Sequence, residues 1–353
     1  MSESFPRLLH PIIQAPMAGG PSTPQLAAAV SAAGGLGFLA AGYRTPTDLA
    51  ADLTAARDIT QAPVGVNLFL LAETAVDETG LAAYASAIEP DARRHGVALG
   101  QPSFDDDSFD AKVELLCRER PAVVSFTFGC PTAGLVARLH ELEIAVWVTV
   151  TEVDEARIAV QASADALVVQ GAEAGGHRGT FEDTDGRGEI SLLPLLRLVA
   201  RDCELPLIAS GGIADGAGVA AVLAAGAHAA QLGTAFMRCP EAGTSDPHRI
   251  ALQTATPTAL TRAFSGRRAR GIVNAFMTAH DDHAPAAYPH VNQLTAPMRA
   301  AARQAGDATV LNLWAGQAHG LAEARPAAEL VRRFSDDARA ALEHARLAFA
   351  DRQ

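Results

Sequence analysis

Short apolar runs and longer amphipathic stretches alternate along this chain. The short runs are rich in Val, Ile and Phe and end in Gly, Pro or a polar residue. Eight of them read as strands, at residues 11–15, 36–41, 64–70, 123–128, 145–150, 166–170, 206–210 and 229–234. Their apolar character is nearly continuous, as in parallel strands buried on both faces. Between them, residues 24–33, 47–57, 132–142, 153–163, 192–201 and 215–225 space their apolar residues three and four apart, which predicts helices. Asp215 stands where it can cap the last of these, and Gly226 where it can end it.

Repeated strand–helix units predict an α/β fold with a parallel sheet. Eight strands favour a closed (β/α)8 TIM barrel over an open doubly wound sheet. Two connections are long. The first, 72–121, predicts extra helix, and the second, 171–205, opens with an irregular Gly- and Asp-rich loop. The rhythm breaks after the eighth strand. Residues 1–237 then form the barrel, and 238–305 predict an inserted, mainly helical lobe over its mouth. Residues 306–353 predict a C-terminal segment that packs back on the barrel through Leu330, Phe334, Ala338 and Leu342.

Composition narrows the function. A chain of 353 residues, 49% hydrophobic, suits a barrel of roughly 250 residues with insertions. A net charge of −12 argues against a nucleic-acid surface and suits a small-molecule substrate. Lys112 is the only lysine and falls in a helical stretch, which speaks against Schiff-base chemistry at a strand end. The four cysteines form no CxxC pair, which points to a reducing compartment. The chain starts Met-Ser-Glu-Ser-Phe-Pro-Arg, without a leader pattern, and no stretch is apolar enough to span a membrane. A cytoplasmic protein is expected.

In such a barrel the active site lies at the C-terminal ends of the strands. The first strand ends in Pro16-Met17-Ala18-Gly19-Gly20, where small residues allow a flat ligand to approach or make a tight turn. Asn67 is a polar residue in an apolar third strand, able to hold a ligand or a neighbouring strand. Gln170 ends the sixth strand and runs into Gly175-Gly176-His177-Arg178-Gly179. His177 in that Gly-rich loop is the leading candidate for acid/base work. The seventh strand ends in Gly211-Gly212, and the eighth in Gln231-Leu232-Gly233-Thr234. Loops at these two places often bind a phosphate.

Other features carry less. Gly34-Gly35-Leu36-Gly37 precedes a strand, the wrong context for a dinucleotide loop. His280-Asp281-Asp282-His283 reads as a solvated polar loop, and no metal site is expected. Arg262, Arg267, Arg268 and Arg270 read as ion-paired or solvated, with anion binding as the alternative. Cys130 reads as an inert small hydrophobe.

Taken in order, residues 14–20, Asn67, Val124-Ser-Phe-Thr-Phe-Gly129, residues 169–179, 209–213, 231–234 and Trp314-Ala-Gly-Gln317 resemble the nitronate monooxygenase family. The resemblance covers most of the chain. It implies bound FMN, contacted by Asn67, Gln170, Gly175, Gly211, Gly212 and the run Gln231, Leu232, Gly233, Thr234. Pro16, Met17 and Ala18 would lie near the ring, Gln317 would be a further contact, and His177 would be catalytic. It implies a nitronate or nitroalkane substrate, dioxygen as co-substrate, and a monomer or homodimer. The nearest rival is an NAD(P)H:quinone or enoyl reductase on the same flavin site. A non-catalytic flavin-binding protein and a flavin-free sugar-phosphate isomerase barrel are more distant ones.

Overall fold

The computed structural model describes residues 5–350; the first four residues of the N-terminal stretch lie outside it. All eight expected strands form, at Ile12–Gln14, Gly37–Ala40, Val64–Phe69, Val123–Thr127, Ala145–Val150, Ala166–Gln170, Leu207–Ser210 and Ala229–Leu232. They pair in parallel in the order first, eighth, seventh, sixth, fifth, fourth, third, second. A parallel bridge between Ile13 and Leu36 joins the first strand to the second and closes the ring. The expected helices lie between the strands, and Asp215 caps Gly216–Ala224 by accepting from the Gly218 N–H at 2.8 Å.

Both faces of the barrel wall are buried, which is why its strands read as continuous apolar runs. Inside, Ile13, Phe38, Trp147 and Ile208 fill the lower half. Phe5 stacks on Trp147 at 5.3 Å and plugs that end. The opposite, C-terminal end therefore holds the open space. Outside, Gly37 lets helix Pro24–Ala32 touch the second strand, since a Cβ there would lie 2.0 Å from the Ala27 carbonyl.

Helix Ala327–Ala350 packs on Gly216–Ala224 and Pro24–Ala32. It buries Leu330, Phe334 and Ala338, whereas Leu342, expected on the same face, stays 39% exposed. The long connection 72–121 contains two helices, Glu78–Arg94 and Phe109–Glu119. The first shares one core with residues after the eighth strand: Leu81, Tyr84 and Ile88 pack with Phe264, Val291, Met298 and Leu313.

Between residues 238 and 305 run helices Asp246–Ala251, Ala275–His280 and His290–Ala305. The segment also holds two strands, Thr258–Thr261 and Ala269–Ile272, which form a hairpin. The second of these pairs antiparallel with Gly176–His177. These short strands lack a hydrophobic alternation of their own. They form because the hairpin finds a partner in the loop after the sixth barrel strand.

Candidate active site

A cavity of about 680 Å³ occupies the C-terminal mouth of the barrel. That size suits a cofactor together with a small substrate. Its floor is built from strand ends, which carry Met17, Asn67, Gln170 and Gln231, and its roof from helix His290–Ala305 and Trp314.

His177 stands on the wall, held by its own strand pairing with Ala269. Its Nε2 lies 2.9 Å from Ser265 Oγ. The Ser265 hydroxyl donates its proton to the Arg267 carbonyl at 3.2 Å, so its oxygen accepts from the imidazole. Nε2 therefore carries the ring proton, and Nδ1 keeps a lone pair with no partner among the described residues. Three rings enclose the imidazole: Tyr288 at 5.4 Å, Trp314 at 5.6 Å and Phe128 at 5.8 Å. Desolvation first, then the charges of Arg267 and Arg299, push its pKa down to about 3. The free protein thus presents a neutral imidazole. Phe128 reaches its place through a left-handed backbone, φ 78°, with the Arg267 guanidinium 4.1 Å above its ring. Strain of this kind gathers at functional sites.

Gln170 supports the His177 loop. Its Nε2 donates to the His177 carbonyl at 3.1 Å, and its Oε1 accepts from the Gly179 N–H at 2.8 Å. The buried Arg178 guanidinium donates to the carbonyls of Gln170, Gly171 and Gly188, each at 2.8 Å. Every partner is backbone, so this charge fixes the path of the loop. Asn67 turns its Nδ2 toward Ser125 Oγ at 2.9 Å and Thr127 Oγ1 at 3.0 Å. Its Oδ1 accepts from none of the described residues.

The seventh and eighth strand ends form a cradle beside this wall. Gly211 and Gly212 have φ of +117° and +69°, conformations that suit glycine. The Gly212 and Thr234 N–H groups have no acceptor among the described residues. Thr234 Oγ1 accepts from the Gly316 N–H at 3.0 Å, which leaves its hydroxyl proton to donate. Gly175 lies against residues 315–316 so closely that a Cβ would sit 2.5 Å from the Gly316 nitrogen. Gln231 Oε1 is buried without a partner. Such an acceptor costs free energy unless a ligand satisfies it. A cradle of free N–H groups, an orphan amide oxygen and a bay at Pro16–Ala18 together fit a phosphate-bearing ring cofactor.

Eleven of the thirteen residues expected to bind the cofactor line this cavity: Pro16, Met17, Ala18, Asn67, Gln170, Gly175, Gly211, Gly212, Gln231, Gly233 and Thr234. Two have side chains elsewhere. Leu232 points into the apolar layer outside the barrel, because neighbouring strand residues face opposite sides. Gln317 is exposed, and its backbone N–H docks on the Glu173 carbonyl at 3.0 Å, while Gly316 and Ala318 reach the cavity.

Of the weaker candidates only Arg267 stands beside the chemistry, its guanidinium over the Phe128 ring. Arg262 and Arg268 pair with Asp183 and pin the 181–189 loop. His280 pairs with Asp91 at 2.8 Å, and Lys112 with Asp107 at 2.6 Å. Burial pushes the Cys130 thiol up to about 11, so it is no ready nucleophile. Ser265, Tyr288 and Arg299 carry no motif. Among them only Ser265 gave a signal, a small hydroxyl residue beside three arginines in a segment without helical or strand rhythm.

The family profile described as nitronate monooxygenase matches residues 5–337. This chain belongs to the nitronate monooxygenase family. Nitronate monooxygenases are flavin-dependent oxidoreductases, in keeping with the cradle. The chain is 41% identical to the nitronate monooxygenase of Pseudomonas aeruginosa, covering 96% of this chain and 100% of that one. It is 39% identical to the nitronate monooxygenase of Paraburkholderia phytofirmans, over 95% and 94%. The solved nitroalkane oxidase from Streptomyces ansochromogenes superposes with a TM-score of 0.93 at 44% identity, over 96% and 98%. The match extends over the barrel strands and the residues after them alike.

Proposed function

We propose that this protein oxidises alkyl nitronates, such as propionate 3-nitronate, with dioxygen to an aldehyde and nitrite, using FMN. The observation that carries this reading is the cavity wall itself. In a chain with net charge −12, no Asp or Glu among the described residues lines the cavity, while Arg299 and Arg303 do. An acid-free wall with cationic residues attracts and retains an anion such as a nitronate.

Gly212, Gly233 and Thr234 would hold the FMN phosphate, and Pro16–Ala18, Asn67 and Gln231 would hold its ring. FMN supplies the redox chemistry when bound, and the chain supplies orientation and electrostatics. His177 Nδ1 is the one atom of the imidazole free to take a proton from a neutral nitroalkane. With a pKa pushed down to about 3 it is a weak base, so a nitronate formed before binding is the better substrate. The Arg299 charge then stabilises the anion. Leu232 and Gln317 would contribute through backbone. No helix of the described residues is long and apolar enough to cross a membrane, and Cys117, Cys130, Cys203 and Cys239 are free thiols. These features support a cytoplasmic enzyme.

Anaerobic mixing of the FMN-loaded protein tests the reading. Nitronate is expected to bleach the flavin, and NADH and NADPH are expected to leave it oxidised. Rapid bleaching by either nucleotide, with none by nitronate, would favour a reductase instead. Protein that stays colourless after FMN addition would overturn the flavin assignment altogether.

A further inference from the structure

The roof helix His290–Ala305 begins just after Tyr288, and a polar contact ties Tyr288 to the barrel rim. Its hydroxyl lies 3.0 Å from that of Tyr43, in the loop after the second strand. Tyr43 lines the cavity and is yet 44% exposed, so it stands where the cavity meets solvent. Its ring meets Phe69 edge-on at 5.8 Å. Phe69 packs on Phe128 at 4.7 Å, and Phe128 on Tyr288 at 5.8 Å. The two hydroxyls close these four rings into a circuit. His177 packs on two of its members, Phe128 and Tyr288.

Tyr43 is held there from below. Its backbone is left-handed, φ 65°, a conformation that a bulky residue seldom adopts. Its N–H donates to Asp107 Oδ1 at 3.0 Å. The other carboxylate oxygen, Oδ2, pairs at 2.6 Å with Lys112, the one lysine of the chain, which is 1% exposed. Lys112 Nζ also donates to the Ala41 carbonyl at 2.9 Å, two residues before Tyr43. A buried ammonium is costly unless paired and hydrogen-bonded, and both of these partners belong to the seat of Tyr43. We propose that the Tyr43–Tyr288 hydroxyl pair is a latch on the cavity mouth that parts for FMN and substrate to pass, and that Asp107 and Lys112 are positioning residues that hold Tyr43 in the closed place. This rests on the flavin reading above, since FMN is the cargo whose passage reads it. Such a latch has a kinetic signature. It is made in the empty and in the loaded protein, so breaking it speeds entry and exit alike and leaves the equilibrium unchanged. A residue that bound the cargo would change the exit rate and the equilibrium together.

The test follows FMN release from the loaded protein on dilution, through the return of free-flavin fluorescence, and FMN uptake by stopped flow. Wild type is compared with Tyr43→Phe, Lys112→Met and the double variant. Tyr43→Phe keeps the ring and removes one hydroxyl. It is expected to speed release and uptake by about threefold to tenfold, the range for one net hydrogen bond, with Kd held within about twofold. Lys112→Met keeps an apolar stem and removes the charge, and is expected to act in the same direction. The double variant is expected to be no faster than the faster single one, because Lys112 acts through Tyr43. Asp107→Asn, which breaks the same ion pair at its less buried end, carries the positioning test if Lys112→Met does not fold. Anaerobic bleaching by propionate 3-nitronate gives a second readout. In Tyr43→Phe the second-order rate at low nitronate is expected to rise by a similar factor, and the limiting rate at saturation to stay. Unchanged FMN rates in Tyr43→Phe would overturn the latch, and so would faster release with a proportionally weaker Kd. Multiplying effects in the double variant would overturn the positioning role of Lys112. Protein that takes up no FMN at all would remove the flavin reading and the latch with it.

Discussion

At the residue scale the account turns on His177 and the proton on its Nε2. The His177→Asn variant is expected to lose nitroalkane oxidation by at least about a hundredfold, as for removal of a general base. It is expected to keep nitronate oxidation within about tenfold. Equal loss of nitrite release on both substrates would reject the base role. Ser265→Ala removes the acceptor that selects the tautomer. ¹⁵N spectra of labelled histidine are then expected to show Nδ1–H populated, where the wild type shows only Nε2–H. The pH behaviour has a definite sign. His177, pushed down to about 3, and His248, pushed down to about 4, stay neutral in the folded protein well below the ordinary value near 6.5. The unfolded chain binds those protons first, so folding stability is lost as pH falls from 6.5 toward these values. Urea unfolding at pH 7 and pH 5 measures it, and His248→Gln is expected to show a shallower acid loss.

At the element scale, what the sequence made legible follows from where burial is local. The eight barrel strands could be read because both their faces are covered, and their apolar runs announce it. The helices between them could be read because one face is. Gly211-Gly212 and Gly233-Thr234 could be read because the loops after the seventh and eighth strands are a known place for a phosphate in a barrel. The hairpin Thr258–Thr261 and Ala269–Ile272 could not. Its strands exist through pairing with Gly176–His177, a contact that spans the chain and leaves no periodic trace. Nor could the union of Glu78–Arg94 with residues after the eighth strand be read, because an amphipathic helix does not say what it packs against. Two elements give direct tests. In Gly175→Ala the new Cβ meets backbone at residues 315–316 that cannot rotate away, so the variant is expected to retain less flavin per chain by absorbance. In Phe334→Ala the C-terminal helix loses a buried ring that lies against Phe236, and urea unfolding is expected to show a loss of about 3–5 kcal/mol.

At the scale of the whole molecule, the negative surface and the acid-free cavity act in opposition. Net charge reveals the first, but the second emerges only when Arg299 and Arg303 are folded over the barrel mouth, far in sequence from every strand end. Their effect on an anionic substrate is electrostatic, so kcat/KM for a nitronate is expected to fall as salt is raised. Stopped-flow rates across an ionic-strength series check this. The central claim is that this barrel couples a nitronate to dioxygen through a flavin held at its mouth. The most direct measurement is nitrite release from propionate 3-nitronate under air, with dioxygen uptake followed in the same sample. Many turnovers of nitrite per bound FMN, matched by dioxygen consumption, are predicted. A yellow, FMN-saturated protein that releases no nitrite and consumes no dioxygen would contradict it.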